Sequence, residues 1–241
     1  MAFLGIFGKK SEGGAVRKHA ERVANKRAQA YDRWESIQAL SQMKSREAVE
    51  ALLPRFTFYV EPSITDQEEK DAAFSGIIEA GAAGVEPVVA FLRRADSISW
   101  PLKMLDKLVG EEELVGYLIE LLAKMDTEYA RDPEVKIQIL TVLAERKDAR
   151  AADAAVRFLE DANESARFAA VGALIGQEAV AAHKDALVKA LCAEDSVRVR
   201  NRVFEALATA GLSVQPEQER VKGRLTPGYT LDGGFVPRKR A

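Results

Sequence analysis

Asp161-Ala162-Asn163-Glu164-Ser165-Ala166-Arg167-Phe168-Ala169-Ala170-Val171-Gly172-Ala173-Leu174 and Asp195-Ser196-Val197-Arg198-Val199-Arg200-Asn201-Arg202-Val203-Phe204-Glu205-Ala206-Leu207 share one pattern. An acidic residue stands in a turn, a basic residue follows five or six positions later, and an aliphatic residue lies seven beyond that. The basic and aliphatic pair recurs upstream at Arg33/Leu40, Lys70/Ile77 and Lys136/Leu143. The five basic positions are 37, 66, 31 and 33 residues apart, and the gap of 66 holds a degenerate copy with Pro101/Leu108 in the two places. Six copies at this period predict an α-solenoid of stacked helix pairs, because one pair cannot bury its own apolar face and must use its neighbour.

Composition agrees. Of the 241 residues 47% are hydrophobic and only 7% aromatic, and an Ala-rich, aromatic-poor chain favours helices packed at close range. The β-branched and aromatic clusters are confined to Phe56-Thr57-Phe58-Tyr59-Val60 and the end of the chain. The fold class is therefore all-α. The boundaries expected are a flexible apolar and basic segment over 1–14, the solenoid over 15–211, and a C-terminal extension over 212–241. Within the solenoid a leading basic helix occupies 15–30 and the repeats begin at 31. In the extension, Asp232-Gly233-Gly234 between two apolar arms signals a hairpin-like turn, with Arg238-Lys239-Arg240 left free as a basic end.

Turn chemistry places the helix pairs. The first runs from Tyr31 to Met43 and from Glu47 to Leu53, ended by Pro54; Gly81 and Gly84 divide the second, and Gly110 the third. Asp132-Pro133 opens the fourth, whose second helix covers Arg150 to Glu160. Asn163 or Ser165 caps the fifth and Gly176 breaks it before a second helix carrying Val180, Leu187, Val188 and Leu191. Asp195-Ser196 starts the sixth, which Gly211 ends. The two quoted stretches resemble HEAT repeats of the short bacterial type, and the resemblance covers approximately residues 31–211. It implies a right-handed superhelix whose second helices line a concave face. An Asp at a helix start meets orphan amides and the positive dipole end, and the nearby Arg can bridge stacked turns, so the basic positions are read as structural.

Charge is distributed unevenly. Residues 1–30 carry seven Lys/Arg against two Asp/Glu, residues 216–241 six against three, and residues 31–215 twenty-two against thirty-two. Phosphate contacts need clustered Lys and Arg, which argues against nucleic acid on the acidic solenoid. At the N-terminus Phe3, Leu4, Ile6 and Phe7 precede Lys9 and Lys10, and Ser11-Glu12-Gly13-Gly14 reads as a hinge before a basic helix from Ala15. That combination suits weak contact with an anionic membrane or docking in a partner's groove. Between the first two pairs, the segment 55–66 has an extended aromatic half and a turn that closes in a Thr65/Glu68 capping box.

His19 and His183 form no ligand pair, which argues against a metal and against the HEAT-repeat iron hydroxylases; there is no phosphate loop or nucleophile elbow. Cys192, the sole cysteine, lies on an apolar helical stretch as a small buried hydrophobe. A single cysteine and no long apolar run point to a cytoplasmic protein, peripheral to the membrane at most. The reading is a non-catalytic scaffold or adaptor without cofactor, holding a protein partner on its concave face through Arg93, Arg94, Tyr117, Arg150 and Arg157, which fall off the apolar stripes of their helices. The alternative is an enzyme on the same solenoid, such as a DNA glycosylase using Trp100 and Asp106, or a bilin lyase. A continuous positive groove favours the enzyme, and an acidic or mixed one the scaffold.

Overall fold

A computed structural model of the chain describes residues 5–232 and 236–239, with side chains from 14 to 231. It is all-α apart from a C-terminal hairpin and consists of two compact units, Met1–Gly110 and Glu111–Ala241.

The first unit holds α1 (Gly5–Val23), α2 (Ala30–Met43), α3 (Arg46–Leu52), α4 (Ser63–Glu79), α5 (Ala82–Leu92) and α6 (Ser99–Leu108), with α3 running on into a 3-10 turn, Leu53–Thr57. Helix α2 packs on α4 and α3 on α5, so first helices form one layer and second helices another; α1 covers the open end against α2 and α3. The second unit holds α7 (Glu111–Ala123), α8 (Glu134–Glu145), α9 (Ala149–Ala155) with its 3-10 continuation Val156–Glu160, α10 (Glu164–Gly176), α11 (Lys184–Ala193), α12 (Val197–Thr209) and α13 (Gln218–Lys222). Here α8, α10 and α12 make the first layer and α7, α9 and α11 the second. The strands β1 (Tyr229–Asp232) and β2 (Val236–Lys239) pair antiparallel, and β2 lies against α12.

The seven-residue spacing places the aliphatic partner two turns along the same face as its basic residue. Leu40, Ile77, Leu143, Leu174 and Leu207 are all fully buried, whereas Leu108 of the degenerate copy is half-buried. Packing is tightest where α10 crosses α8: a Cβ added at Gly176 would lie 1.9 Å from the carbonyl oxygen of Ala144.

Three of the basic residues tie one helix pair to the next, whereas Lys70 pairs with Asp66 of its own helix. Arg33 donates to both carboxylate oxygens of Glu69, each at 2.9 Å, and to the carbonyl of Ala28. Lys136 donates to Asp161 at 2.8 Å and to the Asp126 carbonyl at 3.1 Å. Arg167 holds Glu194 in a two-pronged pair at 2.7 and 2.9 Å and also donates to the carbonyls of Asp161 and Ala162. Arg200 repeats only the carbonyl half, to Glu194 and Asp195, and among the described residues its buried Nε has no partner. Arg33, Lys136 and Arg167 thus satisfy carbonyls of the turn before their own helix while their charges meet a carboxylate from the neighbouring pair.

Burial alone would raise the Glu194 carboxyl, but hydrogen bonds from Arg167 and the Ser196 amide outweigh it and hold the group below its ordinary value of 4.5. A carboxyl whose proton affinity is depressed by folding contributes stability above the unfolded value and loses it as pH falls through the folded one. In urea unfolding followed by circular dichroism from pH 7 to pH 3, the midpoint of the native chain therefore falls on acidification below about pH 4.5 more steeply than that of Glu194→Gln. Parallel slopes would mean that Glu194 has the same proton affinity folded and unfolded.

Four expectations are corrected. The Ser11–Gly14 hinge lies inside α1, which begins at Gly5 rather than Ala15 and ends at Val23 rather than 30; two glycines cost a helix roughly 1 kcal/mol each relative to Ala and do not by themselves end it. The aromatic half of 55–66 is extended only from Phe58 on, its first residues being helical. Arg55 is drawn fully inside by Glu69 and Asp66, which winds Leu53–Thr57 into the 3-10 turn, and α4 starts at Ser63, so Thr65 lies within it rather than capping it. The second helix of the fifth pair begins only at Lys184, after turns that bury Val180. Arg238 and Lys239 are not a free tail but pair in β2 with Thr230 and Tyr229; Arg240 lies outside the described residues.

Candidate partner-binding surface

In the first unit the 3-10 turn after α3, the helix α5 and the start of α6 enclose a cleft of about 830 Å3. Leu53, Pro54 and Phe56 form one wall, Pro87, Ala90 and Phe91 the other, and Trp100 with Pro101 closes the end. Trp100 is held by two rings, Phe56 at 4.8 Å and Phe74 at 6.2 Å between centroids, and Lys103 lies 4.8 Å from it. The turn that presents Phe56 is anchored from below: Arg55 donates to Glu69 at 2.7 Å and to Asp66 at 2.7 Å, and Asp66 also accepts from Lys70 and from the Val60 amide. Burial would raise the Asp66 carboxyl, yet the hydrogen bonds from Lys70 and Arg55 hold it below the ordinary range. A rigid aromatic wall on a charged anchor is thus assembled from residues far apart in the chain.

The cleft is mixed in charge at its mouth. Arg94 lines it and donates from Nε to the Ala90 carbonyl at 3.1 Å, while Glu50 and Asp96 stand on the rim. An apolar trough with a few polar groups at its edge can take an apolar segment and orient it by its ends.

The five residues expected on the partner face are divided between the two units. Arg93 and Arg94 are exposed at the C-terminal end of α5, and only Arg94 lines the cleft. Tyr117, Arg150 and Arg157 lie in the second unit, and their polar groups are engaged within it. The Tyr117 hydroxyl donates to Glu113 at 2.5 Å. Arg150 donates to both oxygens of Asp148 at 2.9 and 2.6 Å and to the Glu112 carbonyl at 3.1 Å; the Asp148 hydrogen bond strengthens its hold on its proton. Arg157 caps the C-terminal end of α7, donating to the carbonyls of Leu122, Ala123 and Met125. Arg157 resembles the basic positions of the first helices in satisfying orphan carbonyls, whereas Arg150 reaches a carbonyl in the first turn of α7. Of the N-terminal set, Phe3 and Leu4 lie outside the described residues, and Ile6, Phe7, Lys9 and Lys10 fall on α1.

The sequence contains no spacing rule for the cleft, since it joins residues of two helix pairs and the start of a third. The signals available were the Trp100-Pro101 that degrades the third copy and Pro87 inside α5. Trp100 is committed to Phe56 and Phe74, while Asp106 is exposed. Cys192 is buried, which pushes its thiol up. Among the described residues no group of three His, Cys, Asp or Glu could hold a metal ion, and no helix is long and apolar enough to cross a membrane.

Residues 117–208, from α7 to α12, match the family of HEAT repeats, so this part of the chain carries HEAT repeats. No curated protein matches it in sequence.

Proposed function

We propose that this protein is a non-catalytic adaptor that holds a protein partner, with the Trp100 cleft receiving an apolar segment of that partner. HEAT repeats generally mediate protein–protein interaction. The observation that carries the finer reading is the cleft itself: three prolines and three aromatic side chains line a trough wide enough for a few residues of peptide, and one arginine stands at its mouth. Glu50 and Asp96 beside Arg94 make its lining mixed rather than continuously positive, which favours the adaptor over a glycosylase that must follow a phosphate backbone.

Affinity capture from the native host with the full chain tests this. Ala90→Arg fills the trough from its wall and Arg94→Glu reverses the charge at its mouth. Each should lower recovery of the captured partner by roughly tenfold or more, the equivalent of one apolar side chain losing its burial. Ile64→Ala, at an exposed residue of α4 away from the cleft, should leave recovery unchanged. Equal recovery by Ala90→Arg and the native chain would place the partner elsewhere.

The adaptor reading includes a reversible contact with anionic lipid through the N-terminus, supported by Phe3, Leu4, Ile6 and Phe7 beside Lys9 and Lys10. Each basic residue near such a surface adds about 1 kcal/mol, and salt screens it. The full chain should co-sediment with phosphatidylserine-containing vesicles at low salt, and Lys9→Glu/Lys10→Glu should do so several-fold less. If the native chain stays in the supernatant, the lipid contact is wrong while the cleft reading stands.

A further inference from the structure

In the second unit a groove of about 1230 Å3 runs between α10 and α12. Its width has a cause in the sequence. Phe168 on α10 lies against two guanidinium groups of α12, Arg198 at 3.8 Å and Arg202 at 4.0 Å from the ring centroid. A Cβ added at Gly172 would sit 2.5 Å from Nη2 of Arg202, so this arginine crosses α10 where a glycine leaves room for it. The two helices are propped apart by side chains on this flank, whereas α10 and α8 meet backbone to backbone at Gly176.

Two charges on the α12 wall, Arg202 and Glu205, are left over. Arg198 has Glu164 only at 3.7 Å. Arg202 is partly buried and feels Glu205, yet among the described residues neither Arg202 nor Glu205 forms an ion pair. The other acidic residue on the rim, Glu178, is held by Lys147 at 2.6 Å. Apolar side chains are exposed alongside: Val197 at 51% and Ile175 at 38%. Arg198, Arg202, Glu205 and Thr209 follow one another at spacings of four, three and four, a single stripe along α12.

We propose that this groove is a self-association surface, in which α12 of a second copy packs antiparallel to α12 about a two-fold axis between Arg202 and Glu205. A two-fold contact requires a patch complementary to itself, since each residue i meets j and j meets i. With the axis at that point, Arg202 faces Glu205 of the second copy and Glu205 faces its Arg202. Arg198 then falls opposite Thr209, and Val197 opposite Ala210, so that apolar and small residues meet at the ends. An acidic peptide would match Arg202 but oppose Glu205. A second copy neutralises both and covers Val197. This surface is separate from the Trp100 cleft, and the inference stands or falls without it.

Sedimentation velocity of the full chain over a concentration series tests it. The native chain should show a monomer–dimer equilibrium. Arg202→Glu or Glu205→Arg places like charges together twice per dimer and should raise the dissociation constant by about tenfold or more. The exchange Arg202→Glu/Glu205→Arg restores both pairs and should return it to within about threefold of the native value. Glu205 is exposed, so Glu205→Arg keeps the test decisive should Arg202→Glu disturb the packing over Gly172. A native chain that is monomeric throughout, a dimer indifferent to Glu205→Arg, or a double exchange no better than the single reversals would each overturn the proposal.

Discussion

Glu69→Ala is expected to destabilise the first unit by about 3–5 kcal/mol, the cost of breaking a buried ion pair by removing one partner. Glu69 is 1% exposed and accepts from two arginines that are nearly as buried, Arg33 at 3% and Arg55 at 0%. Removing the carboxylate leaves both guanidinium groups in the interior with one carboxylate between them, that of Asp66 on Arg55. It also loosens the turn that presents Phe56 to the cleft. Equilibrium urea unfolding measures the effect, with Glu79→Ala as the comparison. Glu79 pairs with Lys44 at 3.1 Å, but both side chains are more than half exposed, so that change should cost no more than about 1 kcal/mol. Equal costs for the two would show that water reaches the Arg33–Glu69–Arg55 cluster.

Leu174→Ala should cost about 2–5 kcal/mol, the lost transfer of a buried side chain plus the cavity left behind. Leu174 is completely buried on α10, which packs on both α8 and α12, and the close approach at Gly176 leaves α8 and α10 little freedom to collapse into the space. Ile175, one position on and 38% exposed, faces the α10–α12 groove, and Ile175→Ala should cost well under half as much. The contrast between adjacent residues tests the repeat frame itself. Similar losses at the two positions, read from thermal or urea unfolding, would mean that the frame is displaced by one residue.

Much of this was legible in the chain because it follows from local rules repeated. A basic residue and an aliphatic one seven positions on can share a helix face only if the segment is helical, and five copies of that pair with buried Leu or Ile confirm the frame. The caps were equally local: Asn163 accepts from the amides of Ser165 and Ala166, and Ser196 from that of Val199. The hairpin was announced by Asp232-Gly233-Gly234, flanked by arms that pair from Tyr229 to Lys239. Where local rules compete with burial they misled. The alternating run Arg55–Val60 reads as extended throughout only while Arg55 is counted as a surface charge; once Glu69 and Asp66 neutralise it inside, the backbone winds as far as Thr57 and extends from Phe58 on.

By itself, then, the sequence determined the all-α class, the period, the helix pairs and the structural role of Arg33, Lys136 and Arg167, because all of these depend on residues within one repeat or at one repeat's remove. Only the tertiary structure decided which cations are free to act. Arg157 and Arg94 both fall off an apolar stripe, but the carbonyls at the end of α7 converge on Arg157, whereas Arg94 is left at the mouth of the cleft. The cleft and the α10–α12 groove are likewise products of assembly. They bring Phe56 to Trp100 and Phe168 to Arg202 across separations set by how helix pairs stack, and a pattern read along one helix carries no record of what the next helix places beside it.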